Sequence, residues 1–285
     1  MILVTGATGN IGREVVKLLL EGGEQALAVT RHPTTAALPE GAHVVEGDPA
    51  QPQTLETALH DITTVFISPR ALGDATAGAA TSALLKMAAA RGAQRVVTLS
   101  AVTVEFGGGY RRFADAFRAV EDAVKASGLP WTILRCAEFD SNALAWAPQI
   151  RATGVVRGAY GDVASSPIHN RDVAAVSALA LVDAAHAGHT YVLTGPQSLT
   201  QRERVRQIGA AIGKEVPWME IPPQQVRESM LAQGLPADVP DRLLGYLASL
   251  DQQAGPTSTT VEQALGRPAL PFAQWAAEHA AAFRN

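Results

Sequence analysis

Gly6, Gly9 and Gly12 recur at three-residue spacing in Val-Thr-Gly-Ala-Thr-Gly-Asn-Ile-Gly (4–12), between an apolar run, Ile2 to Thr5, and a helical pattern set by Ile11, Val15, Leu18 and Leu19. Gly6 permits a tight turn out of a strand. Gly9 removes a Cβ so that backbone N–H groups can approach a pyrophosphate, and Gly12 lets the helix pack closely on its strand. The helix N-terminus adds unpaired N–H donors and the positive end of its dipole. A glycine loop between a strand and a helix predicts a dinucleotide site. Gly6, Thr8, Gly9, Asn10 and Ile11 are its candidate contacts.

The end of the second strand discriminates between dinucleotides. NAD-selective sites carry Asp or Glu there, about twenty residues past the loop, to bond the ribose hydroxyls. Here the run is Val29-Thr30-Arg31-His32, with no carboxylate. Arg31 can pair bidentately with a 2′-phosphate, so NADP(H) is favoured and NAD(H) stays possible. A solvated charge at a strand end is the plainer alternative for Arg31.

Strand and helix patterns alternate around these residues. Strands are expected at Ile2–Thr5, Ala26–Thr30, His43–Glu46, Thr64–Ile67, Arg95–Leu99 and Trp131–Arg135, with helices over about 10–21, 53–59, 75–91 and 111–127. That alternation specifies an α/β fold, a Rossmann-like doubly wound parallel sheet with its ligand crevice beside strand one. Residues 1–135 form the nucleotide-binding domain, and a strand at 190–194 completes its sheet. Residues 136–285 supply the substrate crevice and a small, mainly helical C-terminal subdomain. Within them a helix is expected over 141–151 and another from Arg171 to Val182, with Asp172 as its N-cap. A further helix over 201–212 has Thr200 and Glu203 placed for a capping box.

Composition limits the function classes. The chain has 285 residues, enough for a full core without staples. Apolar residues make up 47% but aromatics only 5%, so the core must be built mostly of Ala, Val and Leu. A net charge of −4 without like-charge blocks argues against nucleic acid as a partner. The single cysteine, Cys136, excludes an intramolecular disulfide and a multi-cysteine metal site, and reads as a buried small hydrophobe. No signal-peptide pattern is seen and no apolar run reaches the ~20 residues of a membrane span. A cytoplasmic protein with no membrane partner is expected.

VTGATGNIG (4–12), VTRHP (29–33), VVEGD (44–48), VVTLSA (96–101), SGLPWTILR (127–135), RDVAAV (171–176), YVLTGPQSLT (191–200) and GRPALPFAQWAAEH (266–279) together carry a resemblance over nearly the whole chain. The sequence resembles the NmrA-like branch of the atypical short-chain dehydrogenase/reductases, in particular its NAD(P)H:quinone-oxidoreductase-like members. The resemblance implies roles for further strand ends. Asp48 matches an adenine-contacting acid, although an Asx turn explains it almost as well. Ser68 would meet the middle of the cofactor. Ser100 stands beside the expected nicotinamide, where better-known relatives place a catalytic Ser or Thr. Phe139, Asn142 and Trp146 follow strand six, where the family lines its substrate crevice; packing is the alternative for the two aromatics. The resemblance also makes a homodimer possible.

The usual short-chain dehydrogenase engine is Tyr-x-x-x-Lys, in which the Lys lowers the pKa of the proton-transferring Tyr. Tyr110 is present, but Ala114 occupies the Lys position. His169, a second candidate acid or base near neutral pH, stands where the family commonly has Asp; a loop histidine bonded to backbone is the alternative. Quinone reduction needs less machinery, because positioning a strong hydride acceptor supplies much of the catalysis. The expected activity is therefore NAD(P)H-dependent reduction of a quinone or polycyclic aromatic. NAD(P)H-assisted hydroxylation of an aromatic polyketide by a monooxygenase route, and a non-catalytic NADP(H)-sensing regulator, are the alternatives.

Overall fold

The computed structural model describes residues 1–73, 75–106, 111–252 and 255–284. In chain order the elements are β1 (Ile2–Val4), α1 (Asn10–Glu21), β2 (Ala26–Thr30), β3 (His43–Glu46), β4 (Thr64–Ile67), α2 (Ala77–Ala90), β5 (Arg95–Ala101), α3 (Thr103–Phe106), α4 (Arg111–Ala126) and β6 (Trp131–Cys136). The chain continues through α5 (Ala147–Thr153), β7 (Val156–Gly158), β8 (Ala164–Ser165), α6 (Asn170–Val182), β9 (His189–Leu193), β10 (Leu199–Thr200) and α7 (Gln201–Ile212). It ends with β11 (Trp218–Glu220), α8 (Pro223–Ala232), α9 (Asp238–Gln252), α10 (Thr260–Leu265) and α11 (Phe272–Glu278).

Two compact units divide these elements. The first comprises Met1–Val104, Asp115–Cys136 and Asn170–Val192; the second comprises Glu105–Ala114, Ala137–His169 and Leu193–Asn285. A seven-stranded sheet of order β3-β2-β1-β4-β5-β6-β9 organises the first. Its pairs from β3 to β6 are parallel, as in a Rossmann sheet. Leu3, Val29, Val65, Ile67, Val96 and Ile133 pack on one face with Leu84 and Leu85 of α2 and Val120 and Val124 of α4. Alternate residues (Val4, Ala28, Phe66, Val97, Leu134) are equally buried on the other face, where α1 and α6 pack together over the strands. Near-continuous apolar strands are what a sheet covered on both sides requires.

The second unit has its own core, in which Ile150, Val156, Val205, Ile208, Phe272, Trp275 and Phe283 meet. Small sheets β10-β8 and β11-β7 and helices α7 to α11 surround it. The Thr200 side chain accepts from Glu203 N while the Glu203 carboxylate accepts from Thr200 N, so the expected capping box is present. Among the described residues, no helix is long and apolar enough to cross a membrane.

Three local expectations need correction. Residues 52–59 wind as a 3₁₀ helix, because Thr54 N bonds back to Gln51 O, three residues earlier. The expected helix over 141–151 is two pieces, a 3₁₀ turn (Asp140–Trp146) followed by α5, whose first turn accommodates Pro148. Asp172 is not the N-cap of α6; the helix starts at Asn170, so Asp172 lies in its first turn, fully buried.

Candidate functional site

The glycine loop lies in the first unit, between the end of β1 and the start of α1. Gly6 has φ +65°, a conformation that favours glycine. A Cβ there would also come within 2.8 Å of Ser68 Cβ. At Gly12 an added Cβ would overlap the carbonyl of Gly6. Gly9 is the N-cap of α1 and has no side-chain cap; the first helical bond runs from Arg13 N to Gly9 O at 3.0 Å. The N–H groups of Asn10, Ile11 and Gly12 therefore have no intrahelical acceptor. Thr8, Gly9 and Asn10 are exposed and Ile11 is buried. A glycine-floored cradle at a helix N-terminus, with donors left over, fits a diphosphate.

The neighbouring strand ends are tied to this loop. Thr5 Oγ1 donates to Phe66 O at 3.0 Å and accepts from Ser68 N at 2.8 Å, fixing the end of β4 opposite Gly6. Arg31 is exposed one residue past β2. Asp48 is half-buried, and its carboxylate accepts from Ala50 N at 3.0 Å and from Gln51 Nε2 at 3.3 Å, an Asx turn at the end of β3. Arg13, which the sequence pattern did not single out, donates to Thr8 O and to Ala37 O and thereby joins the loop to the segment after β2.

Ser100, 4% exposed near the end of β5, donates to Glu121 Oε1 at 2.7 Å. Arg135 on β6 grips the same carboxylate with Nε at 2.9 Å and Nη2 at 2.8 Å, and Lys125 Nζ lies 3.5 Å away. Burial pushes the Glu121 carboxyl up, but hydrogen bonds from Arg135 and Ser100 outweigh it and hold the group below its ordinary value. Ser100 therefore spends its proton on an ionised carboxylate and keeps only lone pairs for another partner. Glu121 and Arg135 were not among the sequence candidates; a charged pair in apolar runs was the available signal.

Tyr110 lies outside the described residues. Ala114 is a buried alanine on α4. His169, 1% exposed in the second unit, has Nε2 3.4 Å from Glu278 Oε2. Phe139 is half-buried, with its backbone bridged to Ile168. Asn142 is exposed and closes a turn onto Phe139 O. Trp146 meets Trp218 edge-on at 6.1 Å, and the Arg204 guanidinium sits 5.5 Å from its ring centre. Cys136 is buried, its thiol pushed by burial up to about 12.

Comparison with known proteins agrees with this geometry. Residues 6–184 match a family model described as NAD(P)H-binding. The chain is 37% identical to the (4-alkanoyl-5-oxo-2,5-dihydrofuran-3-yl)methyl phosphate reductase of Streptomyces griseus and 33% identical to the NAD(P)H azoreductase of Xenophilus azovorans, each over 99% of both chains. Among solved structures, an NADPH-dependent quinone oxidoreductase of Escherichia coli superposes with a TM-score of 0.83 at 25% identity, covering 98% of this chain and 99% of that one. The chain belongs to the NAD(P)H-binding family, and its Rossmann-like sheet is the family's nucleotide-binding fold. It is an NAD(P)H-dependent oxidoreductase.

Proposed function

We propose that the chain reduces quinones or similar conjugated, electron-poor aromatics at the expense of NADPH. One observation carries the reading: buried Ala114 stands where alcohol–ketone interconversion needs a lysine. A conjugated acceptor has no such need, since hydride addition is favourable once the acceptor is positioned. When bound, the nicotinamide supplies the hydride. The loop N–H groups of residues 10–12 hold the diphosphate, and exposed Arg31 pairs with the 2′-phosphate that distinguishes NADPH. Asp48 is assigned to the adenosine half, Ser68 to the middle of the cofactor, and Ser100 to the nicotinamide end as a hydrogen-bond acceptor. Phe139, Asn142 and Trp146 are assigned to the substrate, and His169 to a proton relay with Glu278.

The names of the two relatives, a reductase of an unsaturated lactone phosphate and an azoreductase, share a conjugated acceptor. An unsaturated lactone therefore joins naphthoquinone and anthraquinone in the test, which follows the loss of the reduced nicotinamide's absorbance. Oxygen uptake with a hydroxylated product would mark the NADPH-assisted monooxygenase route instead. A cytoplasmic homodimer is the proposed physiological form, and sedimentation at several concentrations measures its assembly.

A further inference from the structure

α1 opens with a cation where helices favour acids. Its first turn carries no Asp or Glu, and Arg13 stands at the end of that turn, near the positive pole of the helix dipole. The acids of α1 are committed elsewhere, since Glu14 and Glu21 lie within ion-pairing distance of Lys17. Arg13 instead donates from Nη2 to Thr8 O at 3.1 Å and from Nη1 to Ala37 O. Both acceptors are neutral peptide carbonyls, and no ion pair of Arg13 or of Arg31 is found among the described residues. The charge of Arg13 is therefore held in place without being compensated. A side chain set against its local dipole is a conflict between levels of structure, and such conflicts mark functional sites.

The two carbonyls fix where that charge stands. Thr8 belongs to the glycine loop, whose leftover donors fit a diphosphate. Ala37 belongs to the segment that leaves β2 and begins with Arg31. That segment is folded back on itself: Thr35 N bonds to His32 O and Ala36 N to Pro33 O, both at 3.3 Å, and Leu38 N bonds to Ala36 O at 2.8 Å. Successive turns of this kind keep Ala37 close to the end of β2. Arg13 thus reaches from the diphosphate cradle to the segment of Arg31, entirely within the first unit. Arg13 and Arg31 are both exposed, so a ligand can meet them.

The adenosine ribose of NADP(H) carries the diphosphate at its 5′ position and the additional phosphate at its 2′ position. A cation anchored to both protein segments that serve this ribose is placed for the second group. A guanidinium has five N–H donors, so the two carbonyls do not exhaust it, and its charge suits a phosphate dianion. Resting on the NADP(H) reading, we infer that Arg13 is the second cation of the 2′-phosphate site and acts with Arg31 to set the preference of the chain for NADP(H) over NAD(H). A brace between two loops would serve both dinucleotides alike, whereas a cation at the 2′-phosphate separates them. Arg13 was invisible as a candidate because it follows the last glycine of the loop and reads as one more polar position on the solvent side of α1.

The test is calorimetric titration of the full-length chain with NADP⁺ and with NAD⁺, which differ only in the 2′-phosphate. Arg13→Gln removes the charge but keeps a donor for one carbonyl, and Arg13→Lys keeps a cation. Arg13→Gln should lower NADP⁺ affinity about tenfold, a change of about 1.4 kcal/mol, and NAD⁺ affinity by less than about twofold. Arg13→Lys should hold NADP⁺ affinity within about threefold of the wild type, and added salt should shrink the wild-type preference. A second measurement leaves Arg13 untouched: Arg31→Ala should still bind NADP⁺ several-fold more tightly than NAD⁺, because one cation remains. Parallel losses for both dinucleotides in Arg13→Gln, no loss for either, or a preference that vanishes with Arg31 alone overturns the proposal. A wild type that binds NADP⁺ and NAD⁺ equally removes the NADP(H) reading itself, and the proposal with it. A wild-type preference that Arg13→Gln leaves intact removes only the role of Arg13.

Discussion

The Ser100 hydroxyl donates to Glu121 Oε1 across 2.7 Å, with both side chains buried, and Arg135 closes the other side of that carboxylate through Nε and Nη2. The bond joins the end of β5 to α4, and the Arg135 fork adds β6. It also fixes the direction of the serine proton. An oxygen held this way next to a cofactor accepts hydrogen bonds, and it has no proton to give until Glu121 itself is protonated.

Ser100→Ala should therefore leave the pH profile of kcat in its wild-type shape, whereas loss of a general acid would remove its alkaline limb. The variant should instead lose about 1–3 kcal/mol of stability, the cost of stripping a charge-assisted bond from a buried group. Steady-state rates from pH 5 to 9, together with urea unfolding, check both halves of this expectation.

Glu121 makes the first unit acid-sensitive. Its carboxyl lies below the ordinary value of 4.5 in the folded chain. The contribution is complete above that value and disappears as pH falls through the lower folded pKa. Glu121→Gln should flatten the decline of the urea midpoint below about pH 4.5. At neutral pH it should cost about 3–5 kcal/mol, because the buried ion pair with Arg135 loses its negative partner. A parallel acid decline in the variant would show that another carboxylate is responsible.

Arg31→Ala should weaken NADPH binding about tenfold or more while changing NADH binding less than twofold, since only NADPH carries the phosphate that the fork would pair with. Fluorescence titration of both reduced cofactors gives the ratio. Equal losses for both would assign Arg31 to general surface charge.

Gly12→Ala puts a methyl group into the Gly6 carbonyl, backbone against backbone, so no rotamer change relieves it. Overpacking of this kind costs about 1–3 kcal/mol, and here it also spreads the cradle. We expect a lowered thermal midpoint and loss of cofactor binding. A variant that binds NADPH normally would mean that the loop does not seat the diphosphate.

The loop and sheet were legible because each rests on local rules. Glycine spacing after Ile2–Thr5 set β1, the turn and α1, and Thr200 with Glu203 announced α7 three residues apart. Errors arose where a tertiary or backbone detail overrode periodicity: Thr54 tightened 52–59 into a 3₁₀ helix, and Pro148 split the pattern at 141–151. Partners brought together by the fold were harder to see. Nothing near Ser100 in the sequence points to Glu121, twenty-one positions on, or to Arg135 beyond it. Arg204 and Glu138, sixty-six positions apart, were equally hidden. Trp146 was legible as an aromatic after β6, but its contacts with Trp218 and Arg204 depend on elements far along the chain.

The central claim is a reductase without a Tyr–Lys pair, and one measurement addresses it directly: NADPH consumption by the full-length chain, followed with and without a naphthoquinone under anaerobic conditions. The account predicts steady turnover that requires the quinone and yields one hydroquinone per NADPH. Tight NADPH binding with no consumption, across naphthoquinones, anthraquinones and an unsaturated lactone alike, would contradict it.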